Sequence, residues 1–242
     1  MIIMITPNDY RKAIRGFKEQ YGFCIVSNPD AKKEGILLVG MNPSNPSGKE
    51  DDCEVDYRFC RKKSEGGGGD KSSFWGPKHE MMGKYDKYVN YIDLLPIRLS
   101  DQNDVDMIDC DYRARLLEIT QQHIEEIKPK LIILANSSAL YYWGRNTDAV
   151  WMGYQLGEPI RRLKGKWELY RINGLRKDEK DLINQEYFSQ RNFKTKLEGS
   201  YLLCYCQVSK RRKYPKPEQI ITESDIETLL KEIDPIKEKS LY

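Results

Sequence analysis

The chain has 242 residues, 39% of them hydrophobic and 32% charged, and 40 Lys and Arg against 37 Asp and Glu leave a net charge of +3. This length suits a single α/β domain over 1–242, able to bury roughly 70% of the surface its unfolded form exposes without covalent staples. So small a net charge does not by itself announce a nucleic-acid partner. The longest apolar run, Leu131–Ala135, is far short of a membrane span and Met1–Ile5 is too brief for a signal h-region, so a cytoplasmic protein with no membrane association is expected.

Cysteines stand at 24, 53, 60, 110, 204 and 206 with no C-x-x-C among them, and His79 and His123 are the two histidines. Zinc fingers need ligand pairs two to four residues apart, so reduced thiols are the expectation, ahead of a meeting of Cys53, Cys60 and His79, and no metal or other cofactor is expected.

In chain order, Tyr10, Ile14, Phe17 and Tyr21 recur at spacings of three and four, predicting an amphipathic helix over Pro7–Tyr21. A short strand over Phe23–Ser27 and the turn Asn28-Pro29-Asp30 follow. Gly35–Gly40 is a continuous apolar run, the pattern of a strand buried on both faces, as in a parallel sheet. Asn42–Gly48, with two prolines, cannot be regular structure. Residues 49–72 are charged and end in Gly66–Gly69, so a mobile Gly-rich loop is expected over about 62–72.

A second strand is expected over Tyr88–Ile92, running into Asp93–Arg98. A helix follows from about Tyr112 to Ile127, stopped by Lys128-Pro129, then a strand over Lys130–Leu134 and another helix from Ser137 to Trp143. Residues 148–174 read as an inserted hairpin or meander with turns at Gly157-Glu158-Pro159 and Gly165. The stretch 175–198 is polar and predicted helical. A fourth strand, Tyr201–Val208, leads into the basic run Lys210-Arg211-Arg212-Lys213, and a last helix over Glu223–Ile233 begins behind a Thr222–Asp225 cap cluster. No internal repeat is found.

Four strands separated by helical patterns predict a three-layer α/β/α fold with a central, mainly parallel four-stranded sheet. Ligands of such sheets bind beyond the carboxyl ends of the strands, which nominates Gly40–Gly48, Asp93–Arg98 and Gln207–Arg212. The first of these is neither a P-loop nor G-x-G-x-x-G, because Gly48-Lys49 is followed by Glu50.

Gly40-Met41-Asn42-Pro43 after the first strand, Tyr91-Ile92-Asp93-Leu94-Leu95-Pro96-Ile97-Arg98 at the second and Ile127-Lys128-Pro129-Lys130-Leu131-Ile132-Ile133-Leu134 at the third together resemble the uracil-DNA glycosylase superfamily. The wording around Asn42-Pro43-Ser44 is similar to a bacterial branch with an Asn-Pro-Ser first motif, and the resemblance covers about residues 35–145 and 201–210. It implies a uracil-DNA glycosylase-like fold that hydrolyses the N-glycosidic bond of a damaged or modified base in DNA. Asn42 would hold the hydrolytic water. Gly40, Met41, Pro43, Ser44, Asp93, Gln207 and Ser209 would contact the base, Tyr57 or Phe59 would stack it, with Phe74-Trp75 a second choice, and Lys210, Arg211, Arg212 and Lys213 would grip phosphates.

Two departures bear on the chemistry. The superfamily ends its second strand in an asparagine five residues before an arginine, whereas Asp93 stands there. An amide both donates and accepts, but an ionised carboxylate only accepts, so Asp93 suits an exocyclic amino group unless burial keeps it protonated. The His-Pro-Ser-like loop after the last strand is replaced by Cys206-Gln207-Val208-Ser209. Plainer readings stand beside these: Asp93 as a cap, the basic run as a solvated loop, the aromatics as core. A binding module for a nucleotide or nucleic acid on the same fold is the alternative function, and hydrolysis of a small nucleoside is a third. The expected partner is DNA or a nucleotide.

Overall fold

A computed structural model of the chain describes residues 5–18, 21–43, 51–58, 60, 75–99, 101–144, 151–176, 194–205 and 217–233. Among these, no helix is long and apolar enough to cross a membrane. The elements are α1 (Pro7–Ala13), β1 (Cys24–Ser27), β2 (Ile36–Gly40), β3 (Cys53–Asp56), α2 (Gly76–Met82), β4 (Asn90–Asp93), α3 (Cys110–Ile127), β5 (Leu131–Leu134), β6 (Tyr154–Leu156), β7 (Arg161–Leu163), β8 (Trp167–Leu175), β9 (Tyr201–Tyr205) and α4 (Glu223–Ile233).

The fold is mixed α/β. Its main sheet has the order β4-β2-β5-β9-β8-β6, with β7 also on β8. The first four strands are parallel, β9 and β8 are antiparallel, and β6 and β7 both run antiparallel to β8. The expected four strands are therefore the parallel half of a seven-stranded sheet. The segment expected as an insertion over 148–174 extends that sheet, because β8 takes up the free edge of β9. Gly165 does close a hairpin, between β7 and β8, with Lys164 and Gly165 both at positive φ (48° and 68°) as tight β-turns require. Gly157-Glu158-Pro159 does not, since β6 and β7 pair with β8 and not with each other.

Alternation along the strands explains the continuous apolar runs. Leu37 and Val39 of β2, Ile132 and Leu134 of β5 and Leu202 of β9 join one core with Tyr10 of α1 and Leu116, Leu117 and Ile124 of α3. Ile36, Leu38, Ile133 and Leu203 join a second, with Met81 and Met82 of α2 and Ile226 and Leu229 of α4. Successive side chains point to opposite faces, so a strand covered by helices on both sides must be apolar at every position.

Several expected elements change length. α1 ends at Ala13, short of Tyr21, and Gly16 sits at φ 103°, outside helical space. Residues 137–143 form a 3₁₀ helix. Cys53–Asp56, in the charged stretch 49–72 where no element is expected, is a strand, paired in parallel with β1 so that Cys24 faces Cys53. β1 in turn lies along β4, with Cys24 N donating to Pro96 O (2.8 Å) and Asn28 Nδ2 to Val89 O (2.8 Å). α3 starts where Asp109 Oδ1 accepts from Asp111 N and Tyr112 N (2.8 and 3.1 Å), and stops at left-handed Lys128 (φ 53°) before Pro129. The Gly66–Gly69 loop and most of the predicted helix over 175–198 lie outside the described residues.

Candidate functional site

β4 and β5 lie on opposite sides of β2, so the strand order reverses at β2 and a crevice is expected past its carboxyl end. Gly40 closes β2, and its register partner is Asp93, the last residue of β4. The pairing continues past the strands, with Leu94 N donating to Gly40 O (3.3 Å) and Leu95 N to Met41 O (2.9 Å). Asn42 thus leaves the sheet two residues beyond the point where Asp93 sits. Both groups belong to one edge of one sheet.

Asp93 is 6% exposed. Its Oδ1 accepts from Tyr91 Oη at 2.8 Å, a partner that period-two alternation puts on the same face of β4. Gly40 is required here: a Cβ built on it would stand under 3.0 Å from both Asp93 Oδ1 and Tyr91 Oη. Burial pushes the Asp93 carboxyl up to about 7, against the opposing pull of the Tyr91 hydroxyl and of the Lys78 charge. Lys78, on α2, moves the other way: burial brings its ammonium down to about 8, and Asp93 holds it from falling further. Desolvation disfavours the charged form of each, so the two groups titrate closer together than a carboxyl and an ammonium ordinarily do.

Beside this pair lies an aromatic group. Trp75 packs on Tyr91 with ring centroids 4.8 Å apart, and Tyr57 stacks on Tyr91 at 6.2 Å. Tyr57 Oη donates to Asp86 Oδ1 at 2.7 Å, and His79 Nδ1 meets the same oxygen at 2.8 Å. Tyr57, expected as a stacking platform, is 1% exposed, so it forms a wall of the site and offers no open face to a base. Trp75, the second choice for stacking, is half-buried.

Met41, expected among the base contacts, is buried in the first core, which leaves its backbone as what it offers at the edge. Asn42 and Pro43 are half-buried, and among the described residues the amide of Asn42 makes one long contact, to Pro43 O (3.4 Å). Ser44, Phe59, Gln207, Ser209 and Lys210–Lys213 lie outside the described residues. Lys78, Tyr91, Asp86 and Asn136 are additions. Asn136 is half-buried two residues past β5, whose exit is tied to β2 by Ala135 N donating to Val39 O (2.8 Å). The spacing of Trp75, Lys78, His79 and Met82 is that of one helical face and was a usable signal for α2.

A small cavity between β1 and β4 touches Asp93, Tyr91, Cys24, Tyr10 and His123, with a volume near 40 Å³. That is room for about two or three waters and not for a nucleobase. His123 lines it from α3, and burial brings its imidazole down to about 4, so it is neutral there. Comparison with family models, with curated proteins and with solved structures gives no match.

Proposed function

We propose that the chain is a divergent uracil-DNA glycosylase-like hydrolase of three-layer α/β/α build, cleaving the N-glycosidic bond of a damaged or modified base in DNA. The observation that carries this reading is the pairing of Gly40 with a buried Asp93 whose carboxyl rises to about 7. A protonated carboxyl donates and accepts at once, as the amide of the resembled family does, so a base bearing both a carbonyl and a ring N–H is accommodated where an ionised carboxylate would repel it. Asn42, at the same edge, holds the water that attacks the anomeric carbon, and Trp75 stacks the base. The parallel order β4-β2-β5-β9 supports the reading by putting the strand-order reversal at β2.

The test is base release from duplexes carrying deoxyuridine, deaminated purines or alkylated bases, comparing the wild-type chain with Asn42→Ala. Release that Asn42→Ala abolishes supports the hydrolase. If no duplex loses a base and Asn42→Ala changes nothing, the reading is wrong, and ligand stabilisation without turnover then marks a nucleotide-binding module.

A further inference from the structure

Resting on that reading, we propose that His79 is the proton-transfer residue of this site, with Asp86 and Tyr57 fixing its ring so that Nε2 takes a proton from the attacking water. The first support is the built relay. Asp86 Oδ1 accepts from Tyr57 Oη and from His79 Nδ1, at 2.7 and 2.8 Å. A carboxylate only accepts, so Nδ1 carries the hydrogen, and the tautomer this selects is the one with its lone pair on Nε2. This is how an acidic partner sets the tautomer of a histidine that handles protons.

The second support is an unexplained atom. The His79 side chain is 8% exposed, and Nε2 is buried with no hydrogen-bond partner among the described residues. Buried polar atoms are almost always satisfied, and an exception at the end of a relay marks a place for a ligand atom or a water. The third is position. His79 stacks on Trp75 (5.9 Å, 23°), Trp75 packs on Tyr91, and Tyr91 bonds Asp93. Lys78, the neighbour of His79 on α2, interacts electrostatically with Asp93. One helix thus carries both residues, Lys78 toward Asp93 and His79 into the aromatic group that packs on Tyr91.

The step balances. Water oxygen bonds to the anomeric carbon as the carbon–nitrogen bond breaks, and that bond's electron pair leaves with the base. The water's proton goes to Nε2, and the base is neutralised by the proton of the Asp93 carboxyl. Transfer from the His79 imidazolium to Asp93 restores both groups. One water is consumed, giving free base and an abasic sugar.

The experiment pairs kinetics with ¹⁵N NMR of the whole chain. His79→Gln and Asp86→Asn are each expected to lower kcat about 10²- to 10⁴-fold with little change in KM, and His79→Gln to remove the acidic limb of the pH–rate profile. Lys78, Tyr91 and Asp93 titrate nearby, Glu80 lies on the same helix, and Glu223 and Glu227 lie on the packed helix α4, with Glu227 ion-paired to Lys84. The variant profiles are therefore read as differences from wild type. By NMR, the wild-type ring is expected in its Nδ1–H form, with a Nε2 signal that moves when uridine is added. A folded His79→Gln with unchanged kcat and profile overturns the proposal while leaving the glycosylase reading intact. If wild type releases no base, that reading fails, and a Nε2 signal indifferent to uridine and to uracil then overturns the assignment of His79 as well.

Discussion

Asp93 Oδ1 occupies the space that a Cβ at position 40 would need. The built atom would stand under 3.0 Å from it and from Tyr91 Oη, and those two atoms bond each other at 2.8 Å. The placement of the Asp93 and Tyr91 side chains over residue 40 therefore depends on a missing side chain, and so does the environment that raises the Asp93 carboxyl.

Gly40→Ala is expected to break the Tyr91–Asp93 hydrogen bond or force the strands apart. Urea denaturation is expected to show a loss of about 1–3 kcal/mol, typical of overpacking a buried site. A Gly40→Ala chain as stable as wild type, with an unchanged Asp93 titration, contradicts the close approach.

Stability is expected to depend on pH through Asp93 with a defined sign. Its folded value of about 7 stands above the ordinary 3.8. The native chain therefore holds a proton that the unfolded chain has released, and this contribution, full below the unfolded value, is lost as pH rises through about 7. Lys78, lowered from 10.5 to about 8, acts oppositely: its penalty is present below about 8 and fades as pH rises toward 10.5. Asp93→Asn removes the first effect and, with the Asp93 charge gone, lets the Lys78 ammonium fall further. Its stability relative to wild type is expected to improve by about 1–3 kcal/mol between pH 4 and pH 8. Parallel pH curves for the two chains would remove the basis for a protonated Asp93.

Asn42→Ala is expected to leave the fold intact, since among the described residues the amide makes only the 3.4 Å contact to Pro43 O. Its melting temperature is expected to stay within a few degrees of wild type, with base release falling by about 10²-fold or more if the amide positions the water. A large drop in melting temperature would instead give Asn42 a structural role.

Asp109→Ala tests the start of α3. Two backbone N–H groups lose their acceptor, and the expected cost in urea denaturation is about 1 kcal/mol. A neutral substitution would mean that water satisfies both groups.

The parallel half of the sheet was legible because β2, β5 and β9 are buried on both faces, which forces apolar runs that no amphipathic helix would show. α4 was legible for the opposite reason: its cap cluster and one-sided pattern mark a surface helix, and Glu223–Ile233 matches in both bounds. α1 was overestimated because Phe17 and Tyr21 keep helical spacing while packing edge-on against Tyr112 from non-helical backbone. β3 was missed because Cys-Glu-Val-Asp is too short and too polar to carry a pattern, and only pairing with β1 makes it a strand.

By itself, the sequence determined the α/β class, the parallel strands and the place of Asn42 and Asp93 at the carboxyl ends of two of them, since these follow from local pattern and chain order. Tertiary structure alone decided the state of Asp93, the burial of Tyr57 and the joining of His79 to Asp86. A pKa depends on desolvation and on charges brought in from other elements, and a hydrogen bond depends on distance, and neither is written in the spacing of residues along a chain.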